Sequence, residues 1–348
     1  MGICNSRKEI PYAQNKAQEK EQQEIENKNN YNKNGVARCI PIPQKGFVTN
    51  VQNDKMNKEE KRNNEINIYI HGTNNYHKGE LKNNLPNEKG IMCFPNGNIN
   101  NEADFIKGKF QGQGKYIWKD GDYYIGQWKD SLRNGKGIQH YSKGGINYDG
   151  EYINDKAEGN GTYIWEDGYS YTGQFKDGFL HGKGVYYNSQ KDIIYEGEFN
   201  KGEREGNGKY NYPNGEYYIG KWKNGLRNGY GTQYYPDNSI LYEGNWVNDK
   251  YEGKGKYRTE DGYCYEGSFK NDLPNGKGTL YDQNKNIIYV GDWVNGKYEG
   301  NGTYYYEEGG FYQGQWKNDT RNGKGILYVS KGIIELEGNW IDDEFVGK

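Results

Sequence analysis

Aliphatic residues are scarce in this chain. Apolar residues of all kinds make up only 32% of the 348, and aromatics alone account for 16%. The Leu, Ile, Val and Met that remain are too few for a conventional core, which argues against a TIM barrel, a doubly wound enzyme or a helix bundle. No apolar run approaches the ~18 residues of a membrane-spanning helix. The opening MGICNSRKEIPY lacks the apolar stretch of a secretory signal. The four cysteines, Cys4, Cys39, Cys93 and Cys264, are scattered without a CxxC or Cys/His cluster, so neither a disulfide framework nor a metal site is indicated. The simplest compartment is therefore the reducing cytosol. A formal net charge of −2 supplies no overall field that would favour nucleic acid.

Glycine and tyrosine are abundant, at 52 and 36 residues. The chain is too aromatic for a disordered polymer, and its glycines lack the three-residue period of collagen. Their period is longer. The Gly of Tyr-x-Gly-x-Trp/Phe recurs at Gly126, Gly150, Gly173, Gly197, Gly220, Gly244, Gly267, Gly291, Gly314 and Gly338, in steps alternating between 24 and 23 residues. A Gly-x-Gly follows the first nine of them, as at Gly135/Gly137 and Gly159/Gly161. Two flavours alternate. QWKDSLRNGKG and KWKNGLRNGYG represent one, EYINDKAEGNG and NWVNDKYEGKG the other, so the duplicated unit is a 47-residue doublet. Weaker copies extend upstream, with Gly79/Leu81 and Ala103/Phe105 in the Gly and Trp places.

Each unit reads as strand, turn, strand, turn. Tyr124, Gly126 and Trp128 share one face by the period of two. Aromatics beside glycines predict rings lying flat over a neighbouring strand, with stacked rings supplying the buried area that aliphatics do not. Asp-Gly and Asn-Gly pairs supply the positive φ of tight hairpin turns.

Tyr-x-Gly-x-Trp followed by Gly-x-Gly-x-Tyr at a 23-residue spacing resembles the MORN (membrane occupation and recognition nexus) repeat, over residues 66–348. The resemblance implies an all-β fold: an elongated single-layer antiparallel sheet of hairpins, about eleven repeats plus terminal half repeats. It also implies a role in binding proteins or phosphoinositides, or in the axoneme or cytoskeleton. The last repeat stops at Gly347-Lys348, where a further strand would begin. The open edge beside Trp340 predicts a two-fold homodimer through the C-terminal repeat.

Residues 1–65 are a different polymer, rich in Lys, Gln, Glu and Asn, and read as a mostly disordered tail. Its start fits M-G-x-x-x-[ST], with Gly2 as a myristoylation site and Ser6 in the required place. Cys4 is placed for palmitoylation, which matters because one acyl chain anchors only marginally and a second makes anchorage stable. Arg7 and Lys8 add attraction to anionic lipid.

No catalytic constellation is apparent. His71, His77, His140 and His181 stand apart and read as surface residues, and the carboxylates recur with the repeat. No cofactor is expected, and no enzyme. Lys129, Lys176, Lys223, Lys270 and Lys317 recur every 47 residues, as do Glu158, Glu205, Glu252 and Glu299. The lysine column offers candidate contacts to phosphoinositide heads, while alternating columns of opposite sign would partly cancel. The expected function is a non-enzymatic scaffold or adaptor that binds protein partners, tethered by N-terminal acylation. The expected place is cytoplasmic and peripheral, at the plasma or ciliary membrane or the cell cortex, with a phosphoinositide-binding module or a cytoskeletal component as alternatives.

Overall fold

Hairpins joined by short turns account for every element of the computed structural model, which describes residues 60–62, 65–69, 76–83, 85–94, 96–329 and 332–348. The described residues form strands without a helix, and they divide into two units at Glu203/Arg204. Within each unit, strands pair antiparallel with their neighbours in the chain. Gly2, Cys4 and the rest of the tail up to residue 59 lie outside the described residues.

In the unit up to Glu203 the repeat begins at Tyr76–Lys82 and Leu85–Cys93, preceded by short strands at Glu60–Arg62 and Glu65–Tyr69. The weak upstream copies form regular hairpins: Gly79 pairs with Gly90, Gly90 with Ala103 and Ala103 with Gly114. The unit from Arg204 repeats the pattern from Tyr217–Lys223 to Ile333–Ile341.

Two kinds of turn join the strands, and the sequence chooses between them. At one rim the hairpins close with two residues at positive φ, such as Asn154 and Asp155 (φ 47 and 68) or Asn248 and Asp249 (50 and 68). This is the type I′ geometry that matches strand twist, and Asn, Asp and Gly tolerate it best. At the opposite rim Trp118 and Gly121 bracket a longer turn. The N–H of Gly121 donates to the Trp118 carbonyl, and Gly121 takes φ 89.

Glycine pairs with glycine across successive strands, as in Gly126↔Gly137↔Gly150↔Gly161↔Gly173. Over this bare strip lies the tyrosine of each repeat. A Cβ built on Gly244 would stand 2.5 Å from the Tyr242 hydroxyl and 2.7 Å from the Cα of Gly255. The ring therefore occupies space that any other residue would fill.

Candidate functional site

The tyrosine-bearing face is built for cohesion. Tyr124, Tyr148, Tyr171, Tyr195, Tyr218, Tyr242, Tyr265, Tyr289 and Tyr312 are buried, and each hydroxyl donates to the carbonyl three residues on. Burial pushes the phenols of Tyr124, Tyr242 and Tyr312 up, Tyr312 to about 12, so they stay protonated and remain donors. Tyr195 meets Phe199 edge-on, and each of the other eight rings is clasped edge-on by two others. Tyr218 meets Trp222 at 5.3 Å and Trp246 at 5.2 Å, and Tyr242 meets Trp246 and Phe269. Trp222, Trp246, Trp293, Trp316 and Trp340 each donate an indole N–H to a glycine carbonyl on a neighbouring strand.

Two further devices escape a reading by composition. Arg133, fully buried, donates its Nε to Asp155 at 3.1 Å and lies 4.7 Å from the centre of the Tyr152 ring. Arg227 with Asp249 and Trp246, and Arg321 with Asp343 and Trp340, repeat the clamp. The spacing of 94 residues, two doublets, was the available signal. The glutamate column is structural as well. Glu158, Glu205, Glu252 and Glu299 each accept the backbone N–H of the next hairpin tip. In the other flavour Asn134, Asn228, Asn275 and Asn322 donate to the side chain at the corresponding tip. The alternation of flavours is thus an alternation between accepting and donating latches.

His77 corrects the expectation of surface histidines. It is fully buried, against Phe105 at 5.1 Å, and neither ring nitrogen has a hydrogen-bond partner. It stands two residues before Gly79, in the place tyrosine holds elsewhere. Burial lowers its pKa, with the Glu80 carbonyl offsetting part of the shift.

The opposite, outer face carries the predicted lysines. Lys129, Lys176, Lys223, Lys270 and Lys317 are exposed at hairpin tips. The structure does not gather them. Lys129 and Lys176 are four strands apart, roughly 19 Å at ordinary strand spacing, beyond the ~8 Å screening length of physiological salt. What lies between them is new. The tip pairs run Lys223/Leu226, Val247/Lys250, Lys270/Leu273 and Val294/Lys297. Free ammoniums and side chains such as Val247 and Val294, each 45% exposed, thus alternate two by two along the rim. Among the described residues no group of His, Cys, Asp and Glu is arranged to hold a metal ion, and no helix is long and apolar enough to cross a membrane.

A family model for the MORN repeat matches eleven consecutive segments, residues 77–99, 102–123, 124–146, 148–168, 171–191, 195–217, 218–240, 242–262, 265–287, 289–311 and 312–332. The chain belongs to the MORN-repeat family. No curated protein matches it. A solved structure, a protein of unknown function from Bacteroides caccae, is 12% identical over 72% of this chain and 90% of that one, with a TM-score of 0.15. MORN repeats form a scaffold type of fold rather than a known enzyme family, and serve generally as interaction modules, often in membrane-associated proteins. In this MORN protein the tyrosine-bearing face is largely buried, while the outer face and the hairpin rim expose residues such as Ile125, Ile219 and Val247.

Proposed function

We propose that this MORN-repeat protein is a non-enzymatic scaffold, held at the cytoplasmic face of a membrane by acylation of Gly2 and Cys4, with protein partners on its outer face. The observation that carries the reading is the start of the chain. Gly2, Cys4 and Ser6 with Arg7 and Lys8 meet the two-signal requirement for stable anchorage. The array supports it by closing one face and leaving exposed residues such as Ile125, Ile219 and Val290 on the other. Self-association through the C-terminal repeats belongs to the same reading. In cell fractionation, Gly2→Ala should move the protein from the membrane to the soluble fraction, and Cys4→Ser should weaken its retention. An unchanged distribution of Gly2→Ala defeats the tether.

The alternating rim favours a second reading, contact between the repeats and anionic phospholipid. Exposed lysines flanked by Leu and Val suit a headgroup surface, and their separation does not suit one convergent headgroup site. Unacylated protein should then bind phosphoinositide vesicles weakly and lose them as salt is raised, with no affinity for neutral vesicles. Tight binding at physiological salt would make lipid recognition the primary function.

A further inference from the structure

Departures from the repeat stand out against its regularity, and one is concentrated on the outer face of the unit from Arg204. In the strands of the Tyr-x-Gly-x-Trp/Phe half of the second flavour, the outward residue just before the repeat's Gly (Ala103 in one copy) is acidic at Glu102, Asp149, Glu196, Glu243 and Glu337. At the remaining such position, the fifth along the chain, stands Val290, 38% exposed. Its cross-strand neighbours are Thr279 and Thr303. The next row toward the longer turns runs Tyr281↔Ile287, Tyr305↔Phe311 and Phe311↔Tyr328, where earlier strands place Arg258 and Cys264. Across five strands, Leu273–Tyr281 to Thr320–Val329, these two rows hold no charged residue. Phe311 and Tyr328 stack at 4.3 Å, and Ile287 and Tyr305 are 42% and 40% exposed.

We propose that this patch is a self-association face, joining two copies across a two-fold axis that runs parallel to the strands between Ile287–Val294 and Lys297–Tyr305. The inference rests on the self-association part of the proposed function and moves the contact from the sheet edge to the sheet face. Charge selects a second copy as the occupant. The patch is flanked on one side by Arg258, with Lys256 already bridged to Glu266 at 3.2 Å, and on the other by exposed Glu335 and Glu337. The two-fold operation sets Arg258 of each copy against the acidic flank of the other. It also sets Ile287 against Tyr305 and Val290 against Thr303, so no like charges meet in the uncharged centre. Five strands by two rows cover on the order of 300 Å² per copy, below a standard interface, so the dimer is weak and concentration-dependent.

The test is sedimentation of the full chain carrying Gly2→Ala, which removes acyl chains from the outcome, from 1 to 200 μM (roughly the span a weak interface requires). The mass should rise from one chain toward two. Val290→Glu should keep the protein monomeric, weakening association by at least about tenfold. Because four earlier repeats and a later one carry an acid at this position, that variant keeps the fold, which circular dichroism verifies. Arg258→Glu should weaken the dimer, and adding Glu337→Arg should restore it. A monomer throughout the range overturns the proposal. So does a dimer indifferent to Val290→Glu, which would place self-association elsewhere without touching the tether, tested separately by fractionation.

Discussion

Gly137 lies under the ring of Tyr124, and a methyl group there would overlap that ring. Gly144, in a turn at φ 89, has open space around it. The two glycines are needed for different reasons, and substitution separates them. Gly137→Ala should cost about 2–3 kcal/mol, because a packed ring and two paired strands must move. Gly144→Ala should cost only about 1 kcal/mol of backbone strain. Hydrogen exchange of the flanking strands measures both, and equal costs would refute the ring-over-glycine account. His77 gives the residue scale its pH dependence. Its folded pKa lies below the ordinary 6.5. As pH falls through that value the unfolded chain takes up a proton that the folded hairpin refuses, so stability is lost on acidification until the buried ring itself protonates. Gly90, Met92 and Phe105 face the ring, while Lys78, Glu80, Lys89, Glu102 and Asp104 alternate to the other side of their strands. Exchange in Tyr76–Lys82 and Leu85–Cys93, corrected for its intrinsic rate, should therefore quicken between about pH 7 and 5. His77→Tyr, which restores the residue of the other repeats, should abolish the effect. An acid response that survives this substitution assigns it to other groups.

At the scale of the hairpin, stability comes from what passes between neighbouring tips. The N–H of Asp155 donates to the Arg133 carbonyl, and its carboxylate receives both the backbone N–H and the Nε of Arg133. Asp155→Ala leaves a fully buried guanidinium without its counter-charge and should cost about 3 kcal/mol or more. Lys109→Gln breaks the exposed pair with Asp130 and should change stability by no more than about 0.5 kcal/mol. Comparable losses in thermal unfolding would show that burial does not set the strength of these pairs. The hairpins were legible in the sequence because Gly, aromatic and Asx positions must recur wherever the same turn and the same ring stacking recur. The interlocking of hairpins was less legible. Glu158 and Asn134 occupy one position in alternate flavours and satisfy it by opposite hydrogen-bond polarity, so counting charges hides their shared task. His77 was misread for lack of attention to register, since its distance from Gly79 already put it in a tyrosine slot. The lysine column was correctly seen as periodic, but periodicity along the chain became separation in space, with Leu and Val between the ammoniums.

For the molecule as a whole, a repeat array couples each unit mainly to its neighbours, so local lesions open local segments rather than the entire chain. That suits a scaffold whose sites are read one stretch at a time: an uncharged patch around Val290, a rim of alternating Lys and Val, and a remote acylation signal. In the proposed function, what would join these into a membrane-bound scaffold is acylation at Gly2 and Cys4. Mass spectrometry of the N-terminal peptide, from protein isolated from cells that carry out acylation, tests it most directly. The account predicts a peptide without Met1, with a myristoyl amide on Gly2 and a hydroxylamine-labile acyl group on Cys4. A peptide with Met1 retained, or with Gly2 free or acetylated, would contradict it.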